Sequence, residues 1–239
     1  MVVYNDIYVN DGAEIAWMIR KSSPEIKTVL NNFVKANKKG TLFGNIVLKR
    51  YFKDTKWVRD AMAGEDGGRF RDAVAIFQKY GDKYDLPWLL LAAVAYQESR
   101  IDQSVRSPAG AVGVMQLLPS TAAGDPVNIS NIETIENNIH AGTKYLRYLY
   151  DRYYKDEPMD KLDRALFTFA SYNAGPAKIR KLRKRASEKG YNPNRWFAHV
   201  EVMAAEDIGS ETVQYVSNIY KYYVAYRLLW DHKELKEKS

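Results

Sequence analysis

From residue 69 onward, apolar positions return every three or four residues, the spacing that lines one face of an α-helix. The pattern predicts helices over residues 70–80, 87–99, 113–122, 135–154, 163–173, 176–189 and 211–230. Strand-like alternation nearly vanishes there, and no period of 20–50 residues recurs, so the region reads as one all-α domain rather than a solenoid. The chain before it is different. Residues 2–9 and 13–19 alternate like two strands around a turn at Asn10, Asp11 and Gly12. A helix follows, with Ser23 as N-cap, Pro24 at the first helical position and a stop at Lys38, Lys39 and Gly40. Two short strands and one helix cannot bury both their faces alone, so residues 1–40 read as an incomplete unit. Residues 41–64 suggest an amphipathic connector helix, and Ala63 to Gly68 a hinge-like loop.

Composition narrows the chemistry. The 239 residues carry 36 basic and 29 acidic side chains, a net charge of +7, and no cysteine. Disulfides, zinc–thiolate sites, iron–sulfur clusters and cysteine nucleophiles are excluded together. The positive balance suggests an anionic partner without choosing among nucleic acid, anionic lipid and an acidic polymer. The sequence shows no signal peptide, and its longest apolar run, residues 86–96, is about half of what a membrane span needs.

The segment 87–99 carries the sharpest chemical signal. Its Trp–Leu–Leu–Leu–Ala–Ala–Val–Ala–Tyr run is apolar on every face, which marks a helix buried all round. That helix delivers Glu98 to its last turn, on a face shared with Leu91, Val94 and Ala95. Desolvation and the negative end of the helix dipole both raise the pKa of such a carboxyl. A carboxyl that keeps its proton near neutral pH suits a general acid. The plainer alternative is a fraying helix end, with Glu98 in water or paired to Arg100.

Three later segments bear on the choice. Ser107 lies nine residues after Glu98, in a turn-forming stretch that leads to Gly113-Val114-Met115-Gln116. Ser171-Tyr172-Asn173-Ala174-Gly175 ends an apolar helix with a phenol and an amide, groups that suit sugar rings, although Asn–Ala–Gly is also a plain helix stop. Glu211-Thr212-Val213-Gln214-Tyr215-Val216 opens the last helix. In order and spacing, Glu98-Ser99 and these three stretches resemble the motifs of the lytic transglycosylase family with a goose-type-lysozyme-like (SLT) catalytic domain. Val114 and Ser171 replace the family's usual Leu and Ala, away from the positions used for chemistry. The resemblance covers roughly residues 70–230. Glu14 to Arg20 with Ser23-Pro24-Glu25 resembles the tail of a periplasmic solute-binding domain. Gly40 to Asn45, with Tyr51, Phe52 and Trp57, resembles the linker of the membrane-bound F branch of that family.

The resemblance implies a mainly α fold: a lysozyme-like (goose-type) helical domain at 69–239, a helical linker at 41–68 and a small N-terminal α/β remnant at 1–40. On this expectation the chain is truncated, having lost its signal and most of a regulatory domain. It also implies cleavage of the β-1,4 bond between N-acetylmuramic acid and N-acetylglucosamine in peptidoglycan, leaving a 1,6-anhydro end. Glu98 is then the single general acid and base, and Ser107 hydrogen-bonds near it or near the substrate acetamido group. Met115 and Gln116 are expected to line the sugar subsites, Tyr172 and Asn173 to contact the acetamido group or Glu98, and Glu211 and Tyr215 to complete the cleft wall. For Tyr215, a core aromatic on a tyrosine-rich helix is the competing reading. Neither a metal nor a cofactor is expected; His140, His199 and His232 stand far apart. The implied partner is the glycan strand, not nucleic acid, acted on by a monomer in the periplasm and, in the full-length protein, at the outer membrane. A hydrolytic muramidase on the same fold, or a wall-binding module without catalysis, is the alternative. The basic run 178–185 reads first as a solvated helix face, and second as a contact for stem-peptide carboxylates, other anionic wall polymers or nucleic acid.

Overall fold

A helix without a polar face must be enclosed by others, and residues 87–99 are enclosed in that way. The computed structural model describes residues 24–38, 40–41 and 64–237. It divides into two compact units, 1–56 with 238–239 and 57–237. In the first, helix α1 (Pro24–Asn37) buries no residue and leaves Ile26, Val29, Phe33 and Val34 exposed. The two strands expected at 2–9 and 13–19, and most of the connector helix at 41–64, lie outside the described residues.

The second unit is mainly α, as its periodicity predicts. Its helices are α2 (Gly64–Tyr84), α3 (Trp88–Ser99), α4 (Pro119–Ala123), α5 (Ile135–Tyr153), α6 (Lys161–Ala174), α7 (Pro176–Glu188), α8 (Glu201–Asp207) and α9 (Ser210–Glu237). In α3, Leu91 through Ala95 are wholly buried. Helix α2 turns Phe70, Ala73, Phe77 and Tyr80 inward, and α9 turns Tyr215, Val216, Ile219 and Tyr226 inward. Leu166, Phe167, Phe169 and Ala170 of α6 complete this core. A second, smaller core of Val112, Leu117, Ala122, Val127, Ile132 and Ala141 lies beneath the segment between α3 and α5. Among the described residues, no helix is long and apolar enough to cross a membrane.

Three differences from the expected elements have local causes. The glycine-rich 64–68 is the first turn of α2 rather than a hinge. Glu65 and Asp66 sit where the helix dipole favours acids, and Arg69 pairs with both, at 3.4 and 3.2 Å. Residues 113–118 are not helical. Gly113 (φ 73°) and Gln116 (φ 43°) take left-handed backbone, and only 119–123 forms a helix. Between α7 and α9, where no element is expected, an irregular turn at Trp196–Val200 leads into α8. Asp163 anchors that turn by accepting a 2.8 Å hydrogen bond from the Trp196 amide.

Gly81 sits inside α2, one residue beyond the expected end of that helix. A β-carbon there would lie 2.9 Å from the Leu86 carbonyl oxygen and 2.9 Å from the Trp88 β-carbon. Neither neighbour is a flexible side-chain end. Alanine normally gains about 1 kcal/mol over glycine in a helix, but overpacking costs roughly 1–3 kcal/mol. Gly81→Ala is therefore expected to lower the urea midpoint of unfolding despite its better helix propensity; a raised midpoint would refute the packing argument.

Candidate active site

Glu98 occupies the last turn of α3. The helix then closes on two consecutive left-handed residues, Arg100 (φ 56°) and Ile101 (φ 60°). The amide of Arg100 donates to the Tyr96 carbonyl at 2.9 Å. A left-handed conformation costs a β-branched residue on the order of 1–3 kcal/mol, which the wholly enclosed Ile101 side chain offsets by packing. Strained backbone thus follows directly on the carboxyl. Arg100 is mostly exposed and lies 4.0 Å from Asp66, so the alternative of a Glu98–Arg100 pair is not formed.

The Glu98 carboxylate accepts a hydrogen bond from the Tyr215 hydroxyl. Burial pushes the pKa of Glu98 up from 4.5 to about 7, and the Tyr215 hydrogen bond opposes that rise. The phenols of Tyr215 and Tyr172 are driven well above 10, first by burial and then by the charge on Glu98. Both therefore remain neutral donors wherever Glu98 titrates. Asp102, one turn beyond, is engaged elsewhere. It accepts from the amide and hydroxyl of Ser104 at 2.8 and 2.6 Å and lies 3.5 Å from Arg69. Its pKa is lowered, chiefly by the Ser104 hydroxyl. Among the described residues, no second carboxylate acts on Glu98.

The loop facing Glu98 is held by side-chain amides that periodicity did not single out. Ser99, adjacent to Glu98, donates to the Val114 carbonyl at 2.9 Å. Gln103 accepts from the Val114 amide at 3.2 Å and donates to the Ile132 carbonyl at 3.0 Å. The positive φ favours glycine at 113, and a β-carbon there would lie 2.4 Å from the Gln103 amide nitrogen and displace that side chain from the loop. Asn138 of α5, wholly buried, accepts from the Met115 amide at 2.7 Å and donates to the Val112 and Ile132 carbonyls at 2.8 and 3.1 Å. Its signal was available as a polar residue on the inward face of an amphipathic helix.

The structure brings some of the expected residues together and separates others. Glu98 and Tyr215 are in contact, and Tyr172 is close enough to act on both electrostatically. The Tyr172 hydroxyl donates to the Met115 carbonyl at 2.7 Å, so Tyr172 holds the loop instead of the carboxyl. Met115 is not an open subsite residue: its side chain is wholly buried against Gly142 of α5. Gln116 folds back, donating to the Gly113 and Val105 carbonyls at 2.8 and 3.2 Å. Ser107 accepts from the Ala111 amide at 3.0 Å and shapes its own turn. Asn173 accepts from the Thr212 hydroxyl at 2.8 Å, tying the end of α6 to the start of α9. Glu211 is exposed in the first turn of α9. Tyr215 is both a core aromatic and the partner of Glu98, so its two readings coincide. Among the described residues, no three His, Asp or Glu side chains cluster as metal ligands would.

Comparison with known proteins gives one consistent result. The transglycosylase SLT domain family matches residues 75–194. The chain is 30% identical to membrane-bound lytic murein transglycosylase F of Desulfosudis oleivorans, over 87% of this chain and 49% of that protein. It is 36% identical to the protein of the same name from Histophilus somni, over 62% of this chain and 32% of that protein. The chain thus spans about half or less of the length of these relatives. The 70 kDa soluble lytic transglycosylase of Escherichia coli shares the fold at a TM-score of 0.51 and 26% identity, over 86% of this chain and 34% of that one.

Two substitutions test this electrostatic account. Tyr215→Phe removes the hydrogen bond that favours ionised Glu98, so the pKa of Glu98 is expected to rise above 7. A carboxyl-labelled NMR titration reads that shift, and an unchanged or lowered pKa would contradict the assigned partner. Because the folded pKa of Glu98 lies above its unfolded value, its contribution to stability is complete below about 4.5 and is lost as pH rises through 7. Glu98→Gln should accordingly stabilise the protein at pH 8, by at most about 3 kcal/mol, and not at pH 4. Denaturant midpoints at the two pH values check the sign.

Proposed function

The chain belongs to the transglycosylase SLT domain family, and from that premise we propose that it is a lytic transglycosylase of peptidoglycan. The bond cleaved is the β-1,4 link between N-acetylmuramic acid and N-acetylglucosamine, and the product ends in 1,6-anhydro-N-acetylmuramic acid. The observation that carries this reading is a single desolvated carboxyl, Glu98, with a pKa of about 7 and a neutral phenol as its partner.

A glycosidase ordinarily employs two carboxylates, one as acid and one as base or nucleophile. With Glu98 alone, the substrate must supply the second group. In the first step the protonated Glu98 gives its proton to the glycosidic oxygen. The C1–O4 bond breaks and the muramic acid acetamido oxygen closes on C1. In the second step the Glu98 carboxylate takes the proton of the muramic acid 6-hydroxyl. O6 then attacks C1, the bond to the acetamido oxygen breaks, and Glu98 is protonated again. No water enters the balance. A pKa near 7 serves both halves, since neither donating nor accepting the proton is steeply uphill. Between the steps Glu98 is ionised, and the Tyr215 hydroxyl stabilises that charge.

Water in place of the 6-hydroxyl would make the protein a hydrolytic muramidase; that no second carboxylate acts on Glu98 among the described residues favours the intramolecular route. The two relatives matched in sequence are named as membrane-bound, and we place this chain's action correspondingly in the periplasm, on glycan strands.

Digestion of purified sacculi followed by mass spectrometry tests the proposal: anhydro ends are expected, one water lighter than hydrolysed ends. Glu98→Gln is expected to lower the rate by about 10²–10⁴-fold. Because the free enzyme must enter with Glu98 protonated, kcat/KM should fall as pH rises through about 7. Hydrolysed ends, or near wild-type release by the Gln variant, would refute the mechanism.

A further inference from the structure

The mechanism leaves His140 unused, and this imidazole of α5 sits against the last turns of α2. Its ring stacks on Tyr80, with centroids 4.3 Å apart and 15° between the planes. Its Nε2 lies 2.8 Å from the Tyr84 hydroxyl and 3.4 Å from Lys83 Nζ. An ammonium group can only donate, so Nε2 is the unprotonated nitrogen and accepts from both. The charges around it are uneven. Lys79 and Lys83 act on it from α2, beside the phenols of Tyr80 and Tyr84, and Glu136 and Lys144 act on it from α5. Arg147, further along α5, is occupied by Asp151 at 2.7 Å and by the Tyr84 and Asp85 carbonyls. Among the described residues, Glu136 is the sole acid acting on His140, and it already accepts from Lys79 at 2.6 Å and Tyr80 at 3.1 Å. Burial, and then the charges of Lys83, Lys144 and Lys79, hold the pKa of His140 below its ordinary 6.5, with Glu136 opposing.

Helix α5 has a different duty on its other side. Asn138 precedes His140 by two residues, which puts it on roughly the opposite face of the helix. It grips the Met115 amide and the Val112 and Ile132 carbonyls. One turn later α5 lies so close to the same loop that a β-carbon on Gly142 would come within 2.6 Å of the Met115 β-carbon. A shift of α5 is therefore felt by the loop facing Glu98. We propose that the His140 contact is an acid-sensitive clasp: neutral, it moors α5 to α2 and keeps that loop seated; protonated, it releases α5 and loosens the loop. Protonation places a hydrogen on Nε2, so the Lys83 contact becomes one between two donors, and a further cation joins Lys79, Lys83 and Lys144. The folded pKa lies below the unfolded one, so the clasp contributes fully above about 6.5 and its contribution is lost as pH falls below that value. Glu98 runs the opposite way, its contribution being lost as pH rises. The two groups together confine the site to a window of pH. The acid limit on activity rests on the reading of Glu98 as the catalytic acid; the clasp itself does not.

Amide hydrogen exchange in a Glu98→Gln background tests the clasp without the titration of Glu98 in the same range. Between pH 7 and pH 5, corrected for the intrinsic exchange rate, protection of the Val114 and Met115 amides is expected to fall. The fall is at most about tenfold for each pH unit by which the imidazole pKa is lowered. The Val94 and Ala95 amides of α3 should not change. His140→Gln is expected to abolish the pH effect. Lys83→Gln removes a like charge, and should move the midpoint upward together with the His140 ring-proton titration read by NMR. Equal loss at Met115 and Val94 would reduce His140 to a contributor to global stability and overturn the proposal. Protection that ignores pH, or a pH effect that survives His140→Gln, would overturn it as well. Should His140→Gln lose its thermal transition, the midpoint shift in Lys83→Gln decides, and an unmoved midpoint counts against the clasp. On sacculi, kcat/KM of the protein with Glu98 intact should fall below pH 6.5 as well as above 7, and His140→Gln should lose the acid fall alone. An acid fall that persists in that variant would refute the link to the site. If no muropeptides are released at any pH, the catalytic reading fails and the exchange result still decides the clasp.

Discussion

The site depends on the free-energy cost of ionising one carboxyl at the end of a helix that has no polar side. Leu91 through Ala95 are wholly enclosed, so α3 cannot turn Glu98 out to water without exposing apolar side chains in its place. Burial raises the pKa of that carboxyl, and the Tyr215 hydroxyl limits the rise. The two effects leave the group near 7, instead of trapping it in one protonation state. Around this compromise the other polar contacts are subordinate. Asp102 is diverted to Ser104 and Arg69, and Asp66 engages Tyr96 and Arg69. Other negative charges are thereby bound to partners of their own.

The second requirement is a rigid surface opposite the acid. It is supplied by loop backbone, with amide side chains in place of a β-ladder. Asn138 and Gln103 between them satisfy groups of Val112, Val114, Met115 and Ile132. Each buried hydrogen bond contributes only about 1 kcal/mol net, but leaving a partner unmade costs about 1–3 kcal/mol. The arrangement is therefore held mainly by the penalty for breaking it. Tyr172 adds a tie from the other side, donating to the carbonyl of the same Met115 whose amide Asn138 accepts.

The helices were largely legible in the sequence because apolar spacing reports burial directly, and α3 was legible as buried on all sides. Glu98 could be read as a perturbed acid for the same reason. Glycines misled in both directions. Gly67 and Gly68 suggested a hinge, yet acids at 65 and 66 and Arg69 sustain a helix there. Gly113 was read into a helix, where its left-handed φ forbids one. The roles of Met115 and Ser107 were obscured by a different cause. Motif spacing places a residue near a site but does not say which of its atoms faces it. Met115 contributes main-chain groups while its side chain is spent in the core. Asn138 was passed over because one amide among the apolar positions of α5 looks unremarkable until the loop it holds is present.

The two left-handed residues that end α3 have a mechanical meaning. Close packing of Leu91 through Ala95 holds the rotation of α3 about its axis, and Arg100 with Ile101 stops it from lengthening by another turn. Its terminal carboxyl is thus a fixed reference point, like the anvil of a press.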